Sequence, residues 1–353
     1  MRGRIALLLG SILFGLVALE LGLRATHGWD GLTRWPNLVE QARTLGWVTG
    51  NVSRAIHDPR LGFVGRPNHT TSNGISYDAH GLRRTPAPEG MALAEPPILV
   101  IGDSYAHGDE VTDRETWATR LQPLIRRRVV NGAMSAYGID QMVLRAEILV
   151  PEVKPAAIIM SFIADDVRRT EMKRVWGAEK PYFELVNGAL VERNVPVPLP
   201  PAPRQTLDIW RVLLGRSLLF DTVLHALDWH YKWYIDDERA LPRHAGDKLV
   251  CPLLKRLAAL GVPVLVVAEY DPFHWLDDGY RSVTRHADDL VLACATAAGL
   301  ATLDLFDTID AAVRTRGLRT IYREHHPAPA GAEITARRIA AELQKRHIPP
   351  EAQ

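Results

Sequence analysis

The sequence predicts an α/β fold, a three-layer α/β/α sandwich on a parallel sheet. Three features point there. Short apolar runs read as buried strands, stretches of 10–15 residues with helical spacing separate them, and polar clusters follow several strand ends. Composition agrees with a globular chain: of 353 residues, 47% are hydrophobic and 24% charged, which excludes disorder for most of its length. With 42 Lys+Arg against 41 Asp+Glu there is no basic excess to neutralise phosphates, so no nucleic-acid partner is expected.

The first element predicted is a membrane anchor over residues 1–24. Arg2 and Arg4 precede Ile5 to Leu23, an apolar stretch broken only by Gly, Ser11 and Glu20. As a helix it spans roughly 28 Å, close to the hydrocarbon thickness. Arg24-Ala25-Thr26-His27 is a poor cleavage site, so an uncleaved single-pass anchor is expected rather than a signal peptide or a buried helix. The two arginines place its short end in the cytoplasm and the rest of the chain in the periplasm or cell exterior. Glu20 can reach the interface or pair with Arg24 four residues on.

Residues 25–95 form an irregular extension in which Gly62-Phe63-Val64 and Ile75-Ser76-Tyr77 read as short strands. The first part of the core, 96–170, holds strands at 97–101, 129–131 and 157–162, with helices at 115–126 and 140–150. Residues 171–245 interrupt this rhythm as an inserted, cap-like segment. It carries a hairpin around Asn187-Gly188, a proline-rich linker, and an aromatic helical stretch with Trp210, Trp229 and Trp233, read as packing on the core. The core resumes over 246–347, with helices at 248–259, 284–298 and 330–345 and strands at 262–268 and 301–304. Cys251 and Cys294 exclude a disulfide scaffold; one bridge is possible, but two unpaired, buried, small side chains are the preferred reading.

In open α/β sheets ligands bind beyond the carboxyl ends of the strands. Four polar clusters belong there: Gly102 to Gly108, Asn131 to Gly138, Ile163-Ala164-Asp165-Asp166, and Glu324 to Gly331 just before the last helix. A hydroxyl, backbone N–H donors, and a carboxylate with histidine are the parts that acyl transfer needs. Over roughly 96–170 and 245–345 these residues resemble the SGNH (GDSL-type) hydrolases, whose SGNH/flavodoxin-like fold fits the predicted sheet. The most specific piece is Gly102-Asp103-Ser104 directly after a strand.

The resemblance implies Ser104 as nucleophile, its N–H as an oxyanion donor, and a second donor in the Asn131 block, where Ala133 stands in place of the family's glycine. A backbone N–H does not itself require glycine. In the third block Asp165 replaces an asparagine whose side chain would be the third donor; an ionised carboxylate only accepts, so Asp165 donates only if protonated. Aligning Gly331 makes His326 the base and Glu324 its orienting acid, with His325 the runner-up base; a longer family spacing would put Arg323 at the acid position. Asp103 is expected to support the turn. His107 reads as an exposed loop residue, with its closeness to Ser104 in sequence as the other reading; Gln141 reads as a surface residue, and Asp166 either as bonding backbone groups near the site or as purely structural.

The implied activity is a serine esterase removing small acyl groups, with cell-envelope carbohydrate as the expected substrate. Two alternatives stay open: an O-acyltransferase acting on an extracytoplasmic polysaccharide through the same triad, and a glycan-binding module that has lost activity. A metal-assisted phosphoesterase using Asp165, Asp166, Glu324, His325 and His326 is a weaker reading, because adjacent ligands diverge. No organic cofactor is expected, since no glycine-rich dinucleotide or phosphate loop is evident.

Overall fold

The computed structural model describes residues 2–26, 33, 35–199 and 206–349. The described residues fall into two units, one drawn from 1–52, 174–177 and 200–238, the other from 53–173, 178–199 and 239–353.

The larger unit is built on five parallel strands: β1 (Ala94–Gly102), β2 (Arg127–Asn131), β3 (Ala157–Phe162), β4 (Val264–Ala268) and β5 (Ala301–Asp304). Their spatial order is β5-β4-β3-β1-β2, which read from the other edge is the doubly wound 2-1-3-4-5 order. The chain reverses direction across the sheet at β1/β3, where Gly102 lies in register with Ser161. Alternation within the strands builds both outer layers. Leu99, Ile101, Ile158, Met160 and Val266 share one core cluster, and Ile98, Val100, Ile159, Leu265 and Val267 share the other.

In the sequence, α1 (Arg2–Thr26) and α2 (Pro36–Arg54) precede the sheet. Within it come α3 (Ser104–His107), α4 (Trp117–Ile125), α5 (Ile139–Val153) and α6 (Asp165–Arg169). The helices α7 (Ile209–Leu214), α8 (Leu218–Ala226) and α9 (His230–Ile235) belong to the smaller unit. The larger unit then continues with α10 (Ala245–Ala258), α11 (Asp278–Ala297), α12 (Phe306–Arg316), α13 (Leu318–Ile321) and α14 (Pro329–Arg346). Residues from α5, α10 and α11 join the first cluster; residues from α4, α12 and α14 join the second.

Several expectations are corrected here. Ile75–Tyr77 makes only isolated bridges, Thr70 to Ser76 and Tyr77 to Arg83, because each touches a single partner residue. Helix α2 lies in a stretch read as irregular. Cys251 and Cys294 are bridged, joining α10 to α11 with their Cα atoms 4.7 Å apart. The ring of Trp233 lies 5.0 Å from Phe220, centroid to centroid, and under the Arg211 guanidinium, contacts within the aromatic stretch itself and not the expected packing on the core. Trp210 and Trp229 are exposed. The hairpin around Asn187-Gly188 is present, pairing Tyr182–Val186 with Ala189–Arg193.

Candidate active site

The apolar strand β1 ends at Gly102, where a side chain has no room. A Cβ there would lie 2.6 Å from both Ala106 Cβ and the Ser161 carbonyl oxygen. The glycine therefore lets the turn close against β3. Asp103 then caps α3 by accepting the Tyr105 N–H at 2.9 Å. Ser104 opens the short helix and Gly108, at φ 81°, ends it in a left-handed turn.

On the far side of the chain, α14 begins at Pro329, suited to a first helical turn. The loop before it is held tightly. Gly331 faces the Ile321 carbonyl so closely that a Cβ would sit 2.4 Å away, and the Tyr105 hydroxyl donates to the His325 carbonyl at 2.6 Å. These contacts bring His326 Nε2 to 2.9 Å from Ser104 Oγ. Both residues are buried, and the Tyr105 ring lies beside the imidazole. His325 is only half-buried, its ring facing Phe273.

The carboxylate on His326 is not that of Glu324. Glu110 Oε1 lies 2.9 Å from Nδ1, whereas Glu324 is exposed. Glu110 adopts a left-handed backbone at φ 67°, uncommon for a residue with a side chain. This bend continues the turn of Gly108 and points the chain back toward His326. Burial pushes the Glu110 carboxyl up, but its hydrogen bond to His326 and the charges of His326 and His325 outweigh it, leaving it below its ordinary value.

A buried polar cluster fixes that turn. Asp109 accepts from Arg54 at 3.1 and 2.9 Å, from Ser135 Oγ at 2.8 Å, and from His107 Nδ1 at 2.6 Å. His107 Nε2 meets the Tyr77 hydroxyl at 3.0 Å. His107 is thus fully buried, not an exposed loop residue. Burial pulls its pKa down to about 4 despite Asp109. The ring is therefore neutral, with Nδ1–H donating to Asp109 and Nε2 accepting from Tyr77.

The expected oxyanion donors fare differently. The loop after β2 lies against the turn that carries Ser104, with the Met134 N–H donating to the Gly102 carbonyl at 3.1 Å. Yet the Ala133 N–H is engaged by its own block, donating to Asn131 Oδ1 at 3.0 Å, while Asn131 Nδ2 donates to the Ala106 carbonyl at 2.8 Å. Asp165 is corrected as well. It pairs with Arg168 Nε at 2.5 Å and Arg169 Nε at 3.0 Å. Burial pushes its carboxyl up, but the two guanidinium charges outweigh it and hold it well below the usual carboxylate range. It stays ionised and cannot donate.

Asp166 accepts the Ile163 N–H at 2.9 Å and pairs with Arg169 at 2.6 Å. Burial raises Asp103 and Asp166, Asp166 further through the charge of Asp103, with Arg169 opposing in both. Gln141 is buried, not a surface residue, and its Nε2 donates to the Leu61 carbonyl at 2.8 Å. Among the described residues no three His, Cys, Asp or Glu side chains converge as a metal-ligand set; Asp165 and Asp166 face arginines while His326 is held by Ser104 and Glu110.

Two carboxylates beside these residues escape a reading of the sequence alone. Glu110 had one signal, its place two residues after the glycine that ends α3. Glu269, directly after β4, is fully buried; it accepts from Trp117 Nε1 at 3.1 Å and from Ser161 Oγ. Burial pushes its pKa up to about 8 against these hydrogen bonds.

No family model matches the chain, and no curated protein matches it. Among solved structures it is similar to LAE5, an alpha/beta hydrolase from the metagenome of Lake Arreo, Spain, with 17% identity and a TM-score of 0.45 over 72% of this chain and 98% of that one. It is similar to the lipase/acylhydrolase from Enterococcus faecalis, with 14% identity and a TM-score of 0.41 over 71% and 96%. It is also similar to Axe2, an acetylxylan esterase from Geobacillus stearothermophilus, with 14% identity and a TM-score of 0.44 over 72% and 96%.

Proposed function

We propose that this chain is a serine esterase of the SGNH type, anchored by α1 and acting outside the cytoplasm on small acyl esters of cell-envelope carbohydrate. One observation carries the chemistry: a continuous relay from Ser104 Oγ through His326 to Glu110, each step at 2.9 Å. In this reading Ser104 Oγ attacks the ester carbonyl while His326 Nε2 takes its proton. The proton then passes to the departing alcohol, leaving an acyl-serine. Water, deprotonated by the same nitrogen, releases the acid and restores Ser104. Glu110 receives the Nδ1–H, which fixes the tautomer that leaves Nε2 free to accept. The Ser104 N–H is the proposed oxyanion donor.

Two features support the compartment. Helix α1 is long and apolar enough to cross a membrane, and none of its apolar window is buried in the protein. The Cys251–Cys294 bridge suits an oxidising environment.

The test is an activity-based fluorophosphonate probe on the full chain and on Ser104→Ala, followed by an ester panel. Labelling of the wild type that disappears in the variant is expected, with acetylated oligosaccharide turned over faster than long-chain esters. Labelling that persists in Ser104→Ala overturns the nucleophile. A rate that rises when an unacylated oligosaccharide acceptor is added points to transfer instead of hydrolysis.

A further inference from the structure

Within the smaller unit, the end of α1 is tied to the inserted helices by a half-buried polar joint. Glu20 and Arg24 pair at 2.7 Å. The Glu20 carboxylate also accepts the Leu218 N–H at 2.9 Å, the Leu219 N–H at 2.8 Å and Ser217 Oγ at 2.9 Å. It thereby satisfies the open first turn of α8, which Ser217 caps in turn through Phe220 N–H at 3.0 Å. Arg24 donates to the Arg216 carbonyl at 2.8 Å, and its guanidinium lies 4.4 Å from the centroid of the Trp35 ring. Further along, the Leu38 N–H donates to the Gly215 carbonyl at 3.0 Å and Trp233 Nε1 to Asn37 Oδ1 at 3.1 Å.

This joint sets a depth. Glu20 lies six residues before the end of α1, roughly 9 Å along its axis. The inserted helices are therefore fastened where a spanning helix leaves the hydrocarbon. An ionised carboxylate at that level is costly unless it is paired, and here Arg24, two N–H groups and a hydroxyl pair it. The same helices show water a surface that a soluble protein would hide. Trp210 is 68% exposed and Trp229 61%, and Ile209, Leu213, Val223 and Leu227 are exposed with them. Trp at the boundary, with an apolar body and a polar N–H, is the side chain suited to the zone between headgroups and acyl chains.

We infer that α7, α8 and the turn around Trp229 form a collar lying in the headgroup–acyl boundary of the bilayer that α1 crosses. The inference rests on α1 being a membrane span. It makes the insertion a lipid-bound element, not a packed cap, and its occupant is the lipid surface.

The test uses the full chain in phosphatidylcholine nanodiscs whose acyl chains carry bromine near the headgroup or near the bilayer centre, with tryptophan fluorescence as readout. Shallow bromines are expected to quench more than deep ones, and Trp210→Phe/Trp229→Phe is expected to lose at least a third of that quenching. Because both rings are exposed, the variant keeps its fold, which circular dichroism checks. A chain that enters the discs but whose quenching is unchanged in the double variant overturns the collar and leaves the span intact. Unchanged quenching with two chains per disc assigns the surface to a second copy and overturns it equally. A chain that does not enter the discs at all removes the span and the collar together.

Discussion

The loops after β1 and β3 make the most useful comparison in the molecule. Both leave the carboxyl ends of neighbouring parallel strands, both turn into a short helix, and both carry two nearby acids. In the first, Asp109 is paired with Arg54 and a neutral His107, and the chain then bends so that Glu110 faces His326. In the second, Asp165 and Asp166 are held by Arg168 and Arg169 on their own helix. A place at the end of a strand thus brings a carboxylate to the site without giving it a role. What decides is whether an arginine neutralises it, as Arg54 does for Asp109 and Arg168 and Arg169 do for Asp165 and Asp166, or whether it is left to face the imidazole.

The sharpest way to break this comparison is at the relay itself. Ser104→Ala and His326→Ala should each lower p-nitrophenyl acetate turnover by about 10⁴-fold or more. His325→Ala should stay within a few fold; the opposite pattern would exchange the two histidines. Glu110→Gln should lower kcat by roughly 10²- to 10⁴-fold, because the amide holds the wrong tautomer of His326, while Glu324→Gln stays within about threefold. Equal rates for Glu110→Gln and wild type would sink the assignment of the acid.

A smaller effect tests the cluster behind Glu110. His107→Leu should lower kcat by about tenfold with KM nearly unchanged, through loss of the donor that holds Asp109. His107→Asn, whose amide can stand in for Nδ1–H, should recover most of that loss; a fall in KM and kcat together, without rescue, would mean a folding role only. In the second loop, Asp165→Asn should change kcat by no more than about threefold, since the carboxylate donates nothing to the reaction. A hundredfold loss measured there would place Asp165 in the chemistry.

The last prediction concerns Glu269 at the end of β4 and is read in stability. Its folded pKa, about 8, lies above the unfolded value, so between roughly pH 4.5 and 8 the folded state keeps a proton that the unfolded state releases. Stability from this group is present at low pH and is lost as pH rises through that window. Glu269→Gln stays neutral in both states, so its Tm should fall less than that of the wild type between pH 5 and pH 8. Parallel Tm curves would show that Glu269 is ionised in the fold.

Much of this architecture was legible in residue order. The sequence predicts the strands at Ala157–Phe162 and Ala301–Asp304 with their observed bounds, because apolar runs between turns carry a local signal. Helix α2 escapes that reading because two glycines and two asparagines in its stretch obscure an apolar spacing, Leu38, Ala42, Leu45, Val48 and Val52, that is itself helical. Gln141 and His107 read as surface residues because a polar side chain reveals nothing of its partners; each is buried by contacts far along the chain, with Leu61 and Tyr77.

The amino-acid order by itself determined the alternation of strands and helices, the apolar N-terminal helix, and the placing of Ser104 after a strand and His326 before the last helix, all properties of local pattern. Only the tertiary structure decided which carboxylate meets His326, which N–H groups are already engaged, and whether Asp165 is charged. Those depend on a left-handed bend at Glu110 and on guanidinium groups a few ångströms away. The pairs of Asp165 with Arg168 and Arg169 follow from i,i+3 and i,i+4 spacing, but the bend at Glu110 and the burial that those guanidinium charges offset are fixed by neighbours in space.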